Sequence, residues 1–553
     1  MKHSVIAIGL DSTDPVLLEE WISQGHLKNL SQLRQQGAYG RLINMEYYKG
    51  ESAWTNFITG CLPYKTGYWS KFDFNPSTYQ TKTLGAHGAY NYSEFLPFYN
   101  LGDKYRVAVF DVPQTTICPN LNGIQALAWG AHAPMIDRAS QPENLLSEII
   151  SKYGDHPADT FHHNDRSDWY NPASVAKLQN QLEVGLERRT AITKDLLSRE
   201  KWDLFLTVIG ETHTAQHYFW HLSQTDHPLY QQTATPGKDP MLDYFKAVDE
   251  SLGEMLAEAP KDSYVIVFSA HGQGANTTDV LSMVVLPEFL YRFSFPGKSL
   301  LKSQPMGMTP PPPLTPKNPK DSWYKLLHQL KNEPDAMATF LRSIEPKIPG
   351  RFRPYLSKFY KKWAKFTKSP QSELFCWHPS KWYQPYWPQM KAFYIPGFSD
   401  GYIRINLKGR ESQGIVSPSE YHALCDELVE QLHQLTDPRT GQPIVKKVVR
   451  TRENPLDDNP KLPSADLVVI WDDFAVDVVD SPKFGRIGPI YFNRTGAHRP
   501  RGFWFVKGPG IEAGSNLPEA HAVDLAPTIL ELMEAPIPEY MDGKPLLNTK
   551  VIA

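Results

Sequence analysis

Only four cysteines occur in 553 residues (Cys61, Cys118, Cys376 and Cys425), and no two of them have CxxC spacing. That excludes a disulfide-stapled scaffold and gives no sign of a thiolate zinc site. Neither sign of charge is in excess: 57 Lys and Arg against 60 Asp and Glu leave a net −3. Nothing therefore draws the whole chain toward nucleic acid or an anionic membrane. No apolar run approaches the ~20 residues that span a bilayer. Met1-Lys-His-Ser leads directly into Val5-Ile-Ala-Ile-Gly-Leu10, without a signal-peptide pattern. The expectation is a cytoplasmic protein with no transmembrane segment and no nucleic-acid partner. What the chain does have is 12% aromatic residues and 47 prolines, which suggest long ordered loops and aromatic-lined clefts.

Short apolar runs alternate with amphipathic segments through the first half. Strands are expected at Val5–Leu10, 105–112, Leu204–Ile209 and Tyr264–Ser269, and helices at 15–37, Pro172–Ser198 and 239–257. That rhythm reads as an α/β fold with a mostly parallel sheet covered on both faces. Active sites in such sheets lie at the carboxyl ends of the strands. The rhythm breaks at Met306-Gly-Met-Thr-Pro-Pro-Pro-Pro-Leu-Thr-Pro, a stiff extended stretch. A basic, aromatic stretch follows, with Arg351, Arg353, Lys358, Lys361, Lys362, Trp363, Lys365 and Lys368. Three parts are expected: a core part over 1–299, an inserted cap over 300–385, and a second core part over 386–553. The cap's charge could face an anionic substrate or a lipid surface, or be a solvated helix face.

The stretch Glu211-Thr-His213-Thr-Ala-Gln-His217 follows the apolar run ending at Ile209. Residues i and i+4 share a helix face, so both imidazoles can reach one ion. Other segments fall in a telling order. Asp11 ends the first strand, and Ala53-Trp-Thr-Asn-Phe-Ile-Thr-Gly60 is followed by Pro63-Tyr-Lys-Thr-Gly67. Later come Asp437-Pro-Arg-Thr-Gly441, Leu462-Pro-Ser-Ala-Asp466, Gly496-Ala-His498-Arg-Pro-Arg-Gly502 and Asp524-Leu-Ala-Pro-Thr528. Together, over roughly 1–295 and 385–548, they resemble the type I phosphodiesterase/nucleotide pyrophosphatase branch of the alkaline phosphatase superfamily.

The resemblance implies an alkaline-phosphatase-like core and, ordinarily, two zinc ions that bridge one phosphate while a threonine or serine attacks phosphorus. One ion normally takes Asp, His and a C-terminal His; the matching residues here are His213, His217 and His498. Three imidazoles with an open fourth position are a known catalytic zinc set. The second ion normally takes the N-terminal Asp, the nucleophile and an Asp-His pair. Asp11 and His271 remain, but the pair reads Ala270-His271 and the nucleophile slot falls on Gly50. A two-residue shift would place Ser52 in the slot, and Glu51 could supply a carboxylate as base or ligand. Both stay open.

One zinc at His213, His217 and His498 is therefore expected, with a weak second site at Asp11 and His271 as a further option. His271 is the candidate for proton transfer, since imidazole titrates near neutrality. The expected activity is hydrolysis or group transfer on an ester-like small molecule, phospho-ester or related, that is anionic or has an apolar portion. Two alternatives stand beside it: a non-hydrolytic tailoring enzyme of specialised metabolism, and a pseudoenzyme or binding protein with a structural zinc.

Overall fold

Six consecutive buried residues, Val5–Leu10, make β1, the strand on which the sheet is centred. An all-apolar run without alternation is what a strand covered on both faces requires. Each large side chain it buries contributes about 1.5–3 kcal/mol. The structure, a computed structural model, describes residues 3–83, 89–130, 136–158, 170–302, 304–318, 321–332 and 378–547.

The principal sheet has ten strands. In chain order they are β1, β2 (Ala38–Ile43), β3 (Val107–Phe110), β4 (Gly123–Leu127), β5 (Ala139–Gln141), β6 (Leu204–Ile209), β7 (Tyr264–Ser269), β8 (Arg501–Lys507), β9 (Ser515–Asn516) and β10 (Ala520–His521). Their spatial order is β9-β2-β8-β7-β1-β6-β3-β4-β5, with β10 also paired to β2. The centre is parallel, with Leu10 beside Ile209 and Gly9 beside Phe268. Only β8 and β5 run against their neighbours. Helices flank the sheet, giving the mostly parallel, alkaline-phosphatase-like α/β architecture expected. The parallel register has one consequence for function: Asp11, Glu211 and His271, each next after a strand or nearly so, emerge at the same edge.

Five helices bear on the site: α1 (Pro15–Ser23), α2 (Ala53–Thr59), α3 (Pro172–Ser198), α4 (Glu211–Ser223) and α5 (Pro240–Ala257). The segment 15–37, expected as one helix, is two. α1 stops at Ser23, Gly25 takes φ 78°, and a second helix runs over Lys28–Gln36. Glycine adopts the left-handed conformation without steric cost and so ends helices. α5 starts where Asp239 caps it, its carboxylate accepting from the amides of Met241 and Leu242.

A smaller antiparallel sheet of four strands holds Ala392–Tyr394, Gly401–Ile405, Leu467–Trp471 and Val445–Arg450, in that order. Most of the expected cap, including all the basic residues named above, lies outside the described residues. Of the described parts, Trp323–Gln329 and Pro379–Trp382 bury residues, while Met306 and Met308 on the proline-rich stretch are exposed. Trp323 is buried and donates from Nε1 to the Tyr491 carbonyl at 2.7 Å. Tyr383 donates to Glu288 at 2.7 Å. No described helix is long and apolar enough to cross a membrane.

Candidate metal centre

α4 begins immediately beyond β6, so its first turns lie over the carboxyl edge of the sheet, and nearly its whole length is buried. His213 and His217 stand one turn apart on it, their ring centroids 4.4 Å from each other. The third ring arrives from far away in sequence. Gly272–Ala275 and Gly496–Arg499 pair antiparallel, which sets His498 opposite Gln273 and close to His271. Gln273 Nε2 donates to the His213 carbonyl at 3.1 Å, and the Thr495 amide donates to the His217 carbonyl at 2.9 Å. These bonds fasten the two-stranded ribbon to α4. His498 then lies 5.0 Å from His213 and 5.2 Å from His217 by ring centroid. One ring nitrogen from each of the three falls within 4.8 Å of the others.

The donors are prepared for an ion. A carbonyl only accepts, so His217 Nδ1, bonded to the Gly496 carbonyl, must carry the proton. Its Nε2 then carries the lone pair. His213 Nδ1 lies 3.2 Å from Asp11 Oδ2, an arrangement in which the carboxylate holds the ring and raises its basicity. Burial holds His217 well below the usual imidazole value, helped by the neighbouring His213. Burial does the same to His498, helped by His271. A neutral imidazole is the form that ligates, and three of them suit zinc. The donor set fits the metal.

Asp11 and His271 meet beside this triad through a residue that the sequence reading passed over. Ser12 Oγ lies 2.8 Å from His271 Nε2 and 3.2 Å from Asp11 Oδ1. It is also 3.2 Å from His213 Nδ1 and 3.5 Å from His498 Nδ1. Trp54, on α2, donates to Asp11 Oδ1 at 3.0 Å. Asp11 thus serves His213, Ser12 and Trp54 together.

A sequence profile of the type I phosphodiesterase/nucleotide pyrophosphatase family matches residues 5–355. The chain belongs to that family. This places it among enzymes that hydrolyse phosphoester-type substrates. No curated protein matches it. Among solved structures it is similar to murine ectonucleotide pyrophosphatase/phosphodiesterase 5, at 9% identity and TM-score 0.47, over 97% of this chain and 96% of that one. It is also similar to phosphonoacetate hydrolase from Sinorhizobium meliloti in complex with phosphonoformate, at 12% identity and TM-score 0.44, over 97% and 96%.

The residues expected at the family's nucleophile slot, Gly50 to Ser52, are all buried or nearly so, but they face different ways. At Gly50 a Cβ would lie 2.5 Å from Cδ2 of His498 and 3.0 Å from its Cγ, so the imidazole fills the room any side chain would need. Ser52 opens α2 and donates its hydroxyl to the Tyr48 carbonyl at 3.0 Å, a bond within its own turn. Glu51 turns to the loop before Gly401–Ile405. It accepts from the Phe398 amide at 2.8 Å, the Tyr402 hydroxyl at 3.0 Å and the Ser399 hydroxyl. Burial, with Asp400 nearby, pushes the Glu51 carboxyl up. Glu211 is bound away from His213, His217 and His498: it pairs with Arg189 and His156.

Two cations complete the surroundings. Arg494, nearly buried, is held by both oxygens of Asp279 at 3.0 and 2.6 Å. It lies close enough to depress the titration of His217 and His498. Lys71 is pushed below the usual lysine value by burial, with Glu51 and Asp11 opposing. Neither stood out in sequence, because only the tertiary fold brings Arg494 near His217 and Lys71 near Asp11 and Glu51.

The packing at Gly50 carries a prediction. Gly50→Thr restores the family's usual side chain on paper, yet it must displace the His498 ring. Zinc affinity is expected to fall by about 10–100-fold, the range seen when groups that hold ligands in place are disturbed, with no gain in phosphodiester turnover. Competition titration with a zinc chelator reads the first and steady-state kinetics the second. A more active variant with unchanged affinity would contradict this account of the slot.

Proposed function

We propose that the protein is a one-zinc hydrolase of phosphoester-type small molecules. The observation that carries the reading is the contrast between two halves of one centre. His213, His217 and His498 converge, with burial holding His217 and His498 toward the neutral form, whereas Asp11 and His271 are joined through the Ser12 hydroxyl. Gly50 and Ala270 supply no donor there, and the His498 ring fills the space over Gly50. A zinc ion held by the three imidazoles would act as a Lewis acid toward the substrate's phosphoryl oxygen.

The chain's own groups do the rest. Asp11 fixes the ring of His213. His271 Nε2, already within hydrogen-bond reach of a hydroxyl, takes the proton of the attacking group and returns one to the leaving oxygen. Arg494 and Lys71 favour an anionic substrate by long-range attraction in a poorly solvated site. Glu51 and Ser52 are read as scaffold, since their polar atoms serve the segment 398–402 and the Tyr48 carbonyl. The segment 300–385 is read as an insertion between core parts 1–299 and 386–553, flanking the centre.

The test is metal content together with turnover. One zinc per chain is expected, with hydrolysis of aryl phosphodiesters or monoesters that stops on chelation and incorporates solvent oxygen into the phosphoryl product. Two zinc ions per chain, or turnover indifferent to chelation, would overturn the reading.

A further inference from the structure

Ser12 is the one residue in this centre whose backbone is strained. It has φ 57°, in the left-handed region that costs a non-glycine residue about 1–2 kcal/mol. It is also fully buried. Glycine would fill the position without strain, so an account is needed of what the hydroxyl does there. The hydroxyl oxygen stands 2.8 Å from Nε2 of His271 and 3.2 Å from both Asp11 Oδ1 and His213 Nδ1. The residue lies on the tight turn between β1 and α1, at the carboxyl edge of the parallel sheet. A serine on a strained strand-to-helix turn, with an imidazole in hydrogen-bond reach, is the arrangement by which unrelated hydrolases expose an activated nucleophile.

We infer that Ser12 is the nucleophile of this centre, with His271 as its base, in place of the side chain absent at Gly50. The inference rests on the hydrolase reading above for its substrate class. In the first step Ser12 Oγ bonds to phosphorus while the bond from phosphorus to the leaving oxygen breaks. The hydroxyl proton passes to His271 Nε2 and from there to the leaving oxygen, which departs as an alcohol. In the second step water attacks phosphorus and the bond from phosphorus to Ser12 breaks. One proton of that water passes through His271 back to Ser12 Oγ. Because Ser12 is covered in this state, the inference commits the centre to opening for substrate.

The experiment uses an aryl fluorophosphonate, which phosphonylates a nucleophilic serine with loss of fluoride and needs no turnover, followed by peptide mass mapping. The metal-loaded full chain is expected to carry the label on Ser12. Ser12→Gly suits the left-handed backbone, so it should fold with an unchanged or higher melting temperature and bind the same amount of zinc. It should lose both the label and about 1000-fold or more in phosphoester turnover. A label on Ser52, no label at all, or Ser12→Gly turnover within tenfold of the parent would overturn the nucleophile assignment and leave the one-zinc reading standing. Labelling at Ser12 in a protein that hydrolyses no phosphoester would instead overturn that reading and leave the nucleophile assignment.

Discussion

His217→Ala is expected to leave the purified protein without stoichiometric zinc and its hydrolase activity at background. The Gly496 carbonyl fixes the tautomer of this imidazole, so its lone pair is already on the nitrogen that can ligate. No rearrangement cost offsets its contribution to binding. Apparent zinc-binding free energies of about 10–16 kcal/mol are shared by about four ligands in structural sites. One ligand is then worth about 3–4 kcal/mol, or about 100- to 1000-fold in affinity. His213 and His498 alone would hold the ion too weakly to survive dialysis. His221→Ala is the matched control: it lies one turn further along α4, but its ring faces Thr495 Oγ1 at 3.1 Å, and zinc content should not change. Elemental analysis after dialysis decides. A full equivalent of zinc in His217→Ala would rule out this triad as the ligand set.

Much of this could be read from residue order. β1, β6, β7 and α3 begin and end where apolar runs and periodicity put them, because a strand buried on both faces leaves an unbroken apolar run and a long helix repeats its pattern many times. The pair at His213 and His217 was legible for the same reason, being local and set by the helical repeat. His498 was found through its family motif, since nothing in the spacing links it to residue 217. Side-chain direction was not legible. Glu51 and Ser52 both follow Gly50 in sequence, yet one turns to the segment 398–402 and the other back to the Tyr48 carbonyl. Ser12 follows the recognised Asp11 by one residue. Its importance comes from a left-handed backbone and from partners some 200 to 490 positions away, and neither leaves a mark in a local window.

Arg189→Met is expected to cost about 3–5 kcal/mol of stability at pH 7, the usual penalty for stranding buried charges. Arg189 lies on α3 with its guanidinium out of solvent. Its Nε donates to both oxygens of Glu211 at 2.9 Å, Nη2 to Asp111 at 2.7 Å, and Nη1 to the Val208 carbonyl at 2.8 Å. Burial raises the Glu211 carboxyl, but Arg189 and His156 overcome it and bring the value down to about 2. A depressed folded value means that Glu211 adds stability above about 4.5, lost as pH falls toward about 2. Without Arg189 only His156 is left to offset burial, so the folded value rises from about 2. The variant then loses less stability in acid than the parent does. The gap between parent and variant in urea unfolding should therefore narrow between pH 7 and pH 4. Adding Glu211→Gln to Arg189→Met should recover part of the loss at pH 7, because Asp111 keeps backbone donors from Trp129 and Gly130 at 2.9 and 2.8 Å. Glu211 is also the first residue of α4, so the same variant should hold zinc less tightly although it touches no ligand. A loss below 1 kcal/mol, or a gap that does not change with pH, would mean that this buried pair does not anchor the helix carrying His213 and His217.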